Sequence, residues 1–163
     1  MVSSLQLATD LGQLLLRKKL TITTAESCTG GGIGYWLTAV AGSSAYVDRA
    51  FITYSNKAKQ QLLGVQSTTL LQYGAVSEQT VSEMAVGAAK AAGAQCAISV
   101  SGIAGPGGGS ADKPVGTVWF GFYMQGSIIT QRQCFDGDRQ HVRQQSIDYA
   151  LKRSIELLTA SIN

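Results

Sequence analysis

Charge, proline, histidine and cysteine are all scarce in this 163-residue sequence: charged residues make up 14%, with 2 prolines, 1 histidine and 3 cysteines. Soluble domains ordinarily carry ~25% charge, so small and neutral polar residues replace ionic ones here. Intrinsic disorder requires few core formers and strong self-repulsion; a net charge of +3 with 45% hydrophobic residues excludes it. Cys28, Cys96 and Cys134 are an odd set without pairwise spacing, so no disulfide framework is readable. No His/Cys or Cys/Cys pair has the spacing of zinc ligands and the acidic residues are scattered, so no metal is expected. No apolar run reaches the ~18 residues of a membrane-spanning helix; the longest candidate, around Met84 to Val100, is broken by Lys90, Gln95 and glycines. No basic residue precedes Arg17, so no secretory signal is expected, and the expected setting is the cytoplasm with reduced thiols. The 13 basic residues are dispersed, without a stripe or interleaved aromatics, which argues against nucleic acid. The tightest basic cluster, Arg17, Lys18 and Lys19, complements the carboxyl end of a predicted helix.

The best-known glycine signatures are missing as well. Neither the dinucleotide fingerprint Gly-x-Gly-x-x-Gly, nor a Walker phosphate loop, nor a Gly-x-Ser-x-Gly elbow occurs. Ser110-Ala111-Asp112-Lys113 matches Ser-x-x-Lys but sits in a Gly/Pro-rich loop without a Lys-Thr-Gly partner. Glycine itself is abundant, and nine of the 19 glycines fall at 30, 31, 32 and 34 and at 102, 105, 107, 108 and 109. Each group follows a predicted strand, so each is a candidate ligand-cradling loop.

Periodicity places the remaining elements. Leu7, Leu11, Leu14 and Leu15 predict a helix from about Ser4 to Lys18, and Thr21 to Ala25 reads as a β-branched strand. Ile33 to Val40 can form a helix, Ala50 to Ser55 alternates as a second strand, Lys57 to Leu63 is a short helical piece, and Thr68 to Tyr73 adds a turn. Ser77 caps a helix whose face of Val81, Met84, Ala85, Ala88, Ala89 and Ala92 implies close packing on a sheet. Cys96 to Ser101 reads as a central strand, and Val115 to Met124 and Ser127 to Cys134 as a hairpin turning at Gln125-Gly126. A last helix follows Asp136-Gly137-Asp138. The expected fold is α/β: a single domain over residues 1–163, with a mixed β-sheet covered by helices.

Ser27 and Cys28 occupy the corner where the first strand turns into a helix. A nucleophile there is exposed, and helix N–H groups can receive an oxyanion. The one histidine, His141, lies in the first turns of the last helix, so a Ser-His-Asp triad has no base to draw on. Lysine is the other available base when burial lowers its pKa. Lys57 and Lys59 directly follow the second strand, beside Tyr54, and parallel strands end on one edge of a sheet, so this segment can approach Ser27. The alternative is that Ser27 only caps its helix and the lysines are solvated.

Thr24-Ala25-Glu26-Ser27-Cys28-Thr29-Gly30-Gly31 resembles the signature of the CinA carboxy-terminal-domain family. The resemblance continues through Ala41-Gly42-Ser43-Ser44, Thr53-Tyr54-Ser55-Asn56, Ala58-Lys59, Gly64-Val65 and Gly74-Ala75-Val76-Ser77-Glu78. It runs on through Ser101-Gly102-Ile103-Ala104-Gly105-Pro106, Lys113-Pro114-Val115-Gly116-Thr117-Val118 and Gly137-Asp138-Arg139, covering nearly the whole chain. It implies an amidohydrolase that converts nicotinamide mononucleotide and water to nicotinic acid mononucleotide and ammonia, in NAD salvage, without metal or other cofactor. It further implies Ser27 as nucleophile, Lys59 as general base with Tyr54 in its hydrogen-bond network, and Ser101 as a hydroxyl orienting Lys59 or the amide. Cys28 then points into the core. Backbone N–H groups of Cys28, Thr29 and Gly30 are expected to hold the oxyanion. The nest around Gly105, Gly107 and Gly108, with Arg139 or Arg143, is expected to take the phosphate; for Arg139 a salt bridge to Asp136 or Asp138 is the competing role. The expected partner is this small mononucleotide, with a homo-oligomer allowed. Competing readings are a paralogue of the same fold acting as a nucleotide-binding or regulatory domain, and hydrolysis of another carboxamide or ester.

Overall fold

The computed structural model of the protein describes residues 1–161. Helix α1 (Ser4–Lys18) is capped by Ser3, whose side chain accepts from Gln6 N–H, and leads to strand β1 (Ile22–Glu26). Helix α2 (Gly32–Ala39), a single 3-10 turn (Ser43–Ala45) and the two-residue strand β2 (Phe51–Ile52) follow. Helices α3 (Asn56–Leu63), α4 (Ser67–Tyr73) and α5 (Glu78–Ala92) come next, then strands β3 (Cys96–Gly102), β4 (Thr117–Met124) and β5 (Ser127–Cys134). Helix α6 (Arg139–Ala160) closes the chain, capped by Asp138.

The five strands form one mixed sheet in the order β2-β1-β3-β4-β5. β1 runs parallel to β2 and β3, while the β3/β4 and β4/β5 pairs are antiparallel. This is the single-domain α/β fold expected from the sequence. The predicted hairpin is present, with Gln125 and Gly126 both at positive φ, 52° and 94°, as a tight two-residue turn requires.

Alternation along β3 divides the core. Cys96, Ile98 and Val100 join Phe120, Phe122 and residues of α1, α2 and α6 in one buried cluster. Ala97 faces the second cluster, built from Val81, Met84, Ala85 and Ala88 of α5 with Leu63, Val65 and Leu70. The alanine face of α5 does lie close to the sheet: Ser99 Oγ donates to Val81 O at 2.5 Å, and a Cβ on Gly121 would meet that same carbonyl.

The second strand is shorter than its alternation predicts. Thr53 N–H still bonds Glu26 O at 2.8 Å, but Ser55 accepts from Ala58 N–H to cap α3, which turns residues 53–55 out of the sheet. The fold thereby places the chain leaving β1, β2 and β3 at one edge, beyond the carboxyl ends of three parallel strands. Connections from the adjacent β1 and β3 depart in opposite directions there, the place where open α/β sheets form a ligand crevice.

Candidate active site

A cleft of about 260 Å³ at that edge is lined by Ser27 and Cys28 after β1, Tyr54, Asn56 and Lys59 around the start of α3, Ser101 and Gly102 from β3, and Arg139 from α6. A larger groove, about 780 Å³, lies between α3 and α5; it contains neither a nucleophile beside a base nor a buried ionisable group.

Lys59 is the unusual residue of the cleft. It is 1% exposed, and burial lowers its pKa from 10.5 to about 8. Its Nζ lies 3.0 Å from Ser27 Oγ, 2.8 Å from Thr53 O and 3.4 Å from Tyr54 O. A neutral amine has two N–H donors and one lone pair. With its donors given to the two carbonyls, the lone pair faces the Ser27 hydroxyl, and after protonation all three N–H groups have acceptors. The abbreviated second strand supplies this geometry by turning the Thr53 and Tyr54 carbonyls toward the amine.

Ser27 begins a turn held from both sides. Its own N–H donates to Val100 O at 3.0 Å, and Gly30 N–H donates back to Ser27 O at 3.0 Å. The Glu26 carboxylate, fully buried, accepts from Thr29 Oγ1 at 2.6 Å, from the N–H groups of Ile33 and Gly34 at 2.9 Å each, and from Thr24 Oγ1 at 3.3 Å. It thereby performs the capping that Gly31, with no side chain, cannot perform for α2. This role is absent from the sequence reading, although an acid ending a strand that turns into a helix with glycine at its cap is a usable signal for it.

Several expected roles are corrected. The Tyr54 phenol is not in the Lys59 network; it is 62% exposed and accepts from Arg139 Nη2 at 3.0 Å, while only the Tyr54 carbonyl reaches Lys59. Ser101 lines the cleft but is not among the three partners of Lys59. Gly30 has its N–H committed inside the turn, which leaves those of Cys28 and Thr29 without acceptors among the described residues. Gly105 gives its carbonyl to Arg139 Nη1 at 2.9 Å, whereas Gly107 and Gly108 are exposed and lie outside the cleft. Arg139 bonds neither Asp136 nor Asp138. Arg143 does not face the cleft; its Nε donates to Cys28 O at 3.0 Å and its Nη2 to Thr29 O at 3.4 Å.

The glycines at 30–32 are required by close packing within the protein. A Cβ would meet Arg143 Nη2 at 3.0 Å from Gly30, Ile52 Cδ1 at 2.8 Å from Gly31, and the Ile147 side chain from Gly32. Cys28 is buried, and burial pushes its thiol up to about 12, so it is a neutral core group. His141 is occupied at the mouth of α6, where its N–H and ring Nδ1 both approach Asp138 Oδ1, at 3.0 and 2.7 Å.

Fold and cleft together define an α/β domain with a buried lysine touching a serine at a strand-to-helix turn. The chain belongs to the CinA C-terminal domain family, whose model matches residues 4–158. It is 57% identical to the nicotinamide-nucleotide amidohydrolase PncC of Escherichia coli K12, over 91% of this chain and 90% of that protein. The PncC of Pseudomonas putida is 48% identical, over 94% and 96%. A putative competence-damage inducible protein of Alkaliphilus metalliredigens is 50% identical over 84% of this chain but only 33% of its own length. Among solved structures, a CinA superfamily protein from Klebsiella pneumoniae superposes with a TM-score of 0.95 at 40% identity, covering 98% of this chain and 100% of that one. Among the described residues, no helix is long and apolar enough to cross a membrane.

Proposed function

We propose that this protein is a nicotinamide-nucleotide amidohydrolase that deamidates nicotinamide mononucleotide in pyridine nucleotide salvage, with Ser27 as nucleophile and Lys59 as general base. The observation that carries this reading is the buried Lys59 amine 3.0 Å from Ser27 Oγ; the named relatives supply the substrate. Ser27 Oγ attacks the carboxamide carbon while its proton passes to Lys59 Nζ. The carbonyl oxygen becomes an oxyanion on the N–H groups of Cys28 and Thr29. Lys59 then protonates the leaving ammonia as the C–N bond breaks, and the nicotinoyl group remains on Ser27 as an ester. Water, deprotonated by the same amine, attacks that ester, and the proton returns to Ser27 as nicotinic acid mononucleotide leaves. Each step uses the Thr53 and Tyr54 carbonyls to hold the amine in place.

Arg139 carries the phosphate in this reading. Among the described residues its guanidinium is bonded only to Gly105 O and the Tyr54 hydroxyl and pairs with no carboxylate, and it lines the cleft containing Ser27. A site built around such a charge discriminates against substrates lacking an anion.

The test is ammonia release from nicotinamide mononucleotide, with product identified by chromatography. Ser27→Ala and Lys59→Met are expected to lose at least ~10³ of the rate, as removal of a nucleophile or its base does. Undiminished turnover by Ser27→Ala overturns the mechanism, and binding of the nucleotide without turnover by the wild type favours a binding domain.

A further inference from the structure

We propose that Arg143 is a positioning residue for the oxyanion site, acting through the peptide unit that joins Cys28 to Thr29; this rests on Ser27 being the nucleophile. Arg139 and Arg143 stand one turn apart on α6, and in the sequence they are equal candidates for phosphate. The fold separates them. Arg139 enters the cleft, whereas Arg143 lines a different hollow behind the nucleophile turn, with Gly30, Gly31, Tyr35 and Ile52.

Three observations converge on that turn. Arg143 donates from Nε to Cys28 O at 3.0 Å and from Nη2 to Thr29 O at 3.4 Å. It has no carboxylate within ion-pair distance among the described residues, so these two carbonyls are its recorded partners. Gly30 leaves room for it, since a Cβ there would stand 3.0 Å from Nη2.

The chemistry follows from the amide group. The carbonyl of Cys28 and the N–H of Thr29 belong to one conjugated peptide, and that N–H has no acceptor among the described residues. A guanidinium on the carbonyl end draws electron density from the unit and strengthens the donor at its other end, as hydrogen bonds in chains polarise one another. It also fixes the peptide plane. The second bond, to Thr29 O, fixes the next unit, whose Gly30 N–H closes the turn on Ser27 O. Arg143 thus touches no substrate atom and acts on the transition state through backbone.

The experiment compares wild type, Arg143→Ala and Arg143→Lys on two substrates: nicotinamide mononucleotide, and p-nitrophenyl acetate, an ester expected to acylate Ser27 through the same oxyanion. Loss of a whole oxyanion donor costs ~10²–10³ in rate, and weakening one costs less. Arg143→Ala is therefore expected to lower kcat about tenfold on both, with KM within about twofold, and added methylguanidinium to restore part of it. Arg143→Lys, which keeps the charge but not the forked geometry, is expected to fall between. Rates are referred to active sites counted by titration, so loss of folded protein is not read as loss of catalysis. Should Arg143→Ala not fold, Arg143→Lys with an undiminished kcat overturns the proposal. A rise in KM for the nucleotide with unchanged kcat also overturns it, because that is the signature of a phosphate ligand. A wild type that cleaves the ester but not the nucleotide defeats the amidohydrolase reading while the ester still tests Arg143; one that cleaves neither defeats both.

Discussion

Raising the pH from 7 to 9 is expected to speed turnover about tenfold, and a further rise to 10 to add almost nothing. In the proposed mechanism Lys59 must be neutral to accept the Ser27 proton. With a pKa of about 8 it is about 9% neutral at pH 7, about 50% at pH 8 and about 91% at pH 9. An ordinary lysine at 10.5 would be about 0.03% neutral at pH 7 and would still gain about eightfold between pH 9 and 10. Burial therefore supplies roughly 300-fold more base at neutral pH. The measurement is kcat/KM by direct ammonia detection at constant ionic strength from pH 7 upward. That range keeps the substrate phosphate, whose second pKa is ~6, fully ionised. A rate still climbing about eightfold between pH 9 and 10, or one flat from pH 7, refutes the assignment.

The same proton enters folding stability. The folded-state pKa of Lys59 lies below its unfolded value, so between pH 8 and 10.5 the unfolded chain binds more protons and stability rises with pH. Below pH 8 both states hold the proton, and the folded state carries the full cost of desolvation. The whole shift corresponds to about 3 kcal/mol; solvent reaching the ammonium through the cleft reduces this to about 1–2 kcal/mol. Comparison with Lys59→Met cancels the titration of every other group, and the packing difference between the two proteins is constant with pH. The stability gap is expected to move in favour of wild type by that amount across the window, and a gap constant with pH contradicts the shift.

Other perturbations test the surrounding shell. Glu26→Gln replaces an acceptor-only group that takes two helix N–H bonds and two threonine hydroxyls; bonds to charged groups are worth ~1.5–3 kcal/mol, so a loss of about 3 kcal/mol and a fall in Tm of about 6–12 °C are expected by calorimetry. An unchanged Tm means the capping adds nothing. Arg139→Met is expected to raise KM for the nucleotide roughly 10- to 100-fold, the equivalent of one charge-assisted contact, while KM for an ester lacking phosphate stays level; equal effects on both substrates would remove Arg139 from phosphate recognition. Iodoacetamide at pH 8 is expected to label Cys134, which is exposed, and to spare Cys28 and Cys96, whose thiols burial raises to about 12 and about 11, by intact mass and peptide mapping. Labelling of native Cys28 with loss of activity would show the turn to be open.

Local signals are what the sequence expresses well. The leucine spacing of α1, the Gln125-Gly126 turn and the alanine face of α5 are all legible because each depends on neighbours within a few residues. The Ser27/Lys59 pair was accessible by a longer step, from parallel strands to a shared sheet edge. Backbone roles were not accessible: Thr53 and Tyr54 act on Lys59 through carbonyls, which no side-chain pattern reveals. The packing role of the glycines at 30–32 is hidden for a related reason, because glycine is selected equally by an approaching ligand and by an approaching arginine or isoleucine. Arg139 and Arg143 differ only in which side of a turn they reach, a property of how α6 crosses the sheet edge.

Scarcity of charge is itself part of how the site works. Two buried side chains of opposite charge type flank the proposed nucleophile, Glu26 immediately before it and Lys59 across the cleft, and a direct pair between them would be the ordinary arrangement. An opposite charge within ~4–6 Å favours the charged form by ~1–3 pKa units, which would return Lys59 from about 8 toward its ordinary 10.5 and, under the proposed mechanism, deprive Ser27 of its base. The fold prevents this by giving each group neutral partners. Glu26 is satisfied by two helix N–H groups and two threonine hydroxyls, and Lys59 by two carbonyls and a serine. Burial without an ion pair keeps the amine available, and a surface of small neutral residues leaves few stray carboxylates to restore the pair.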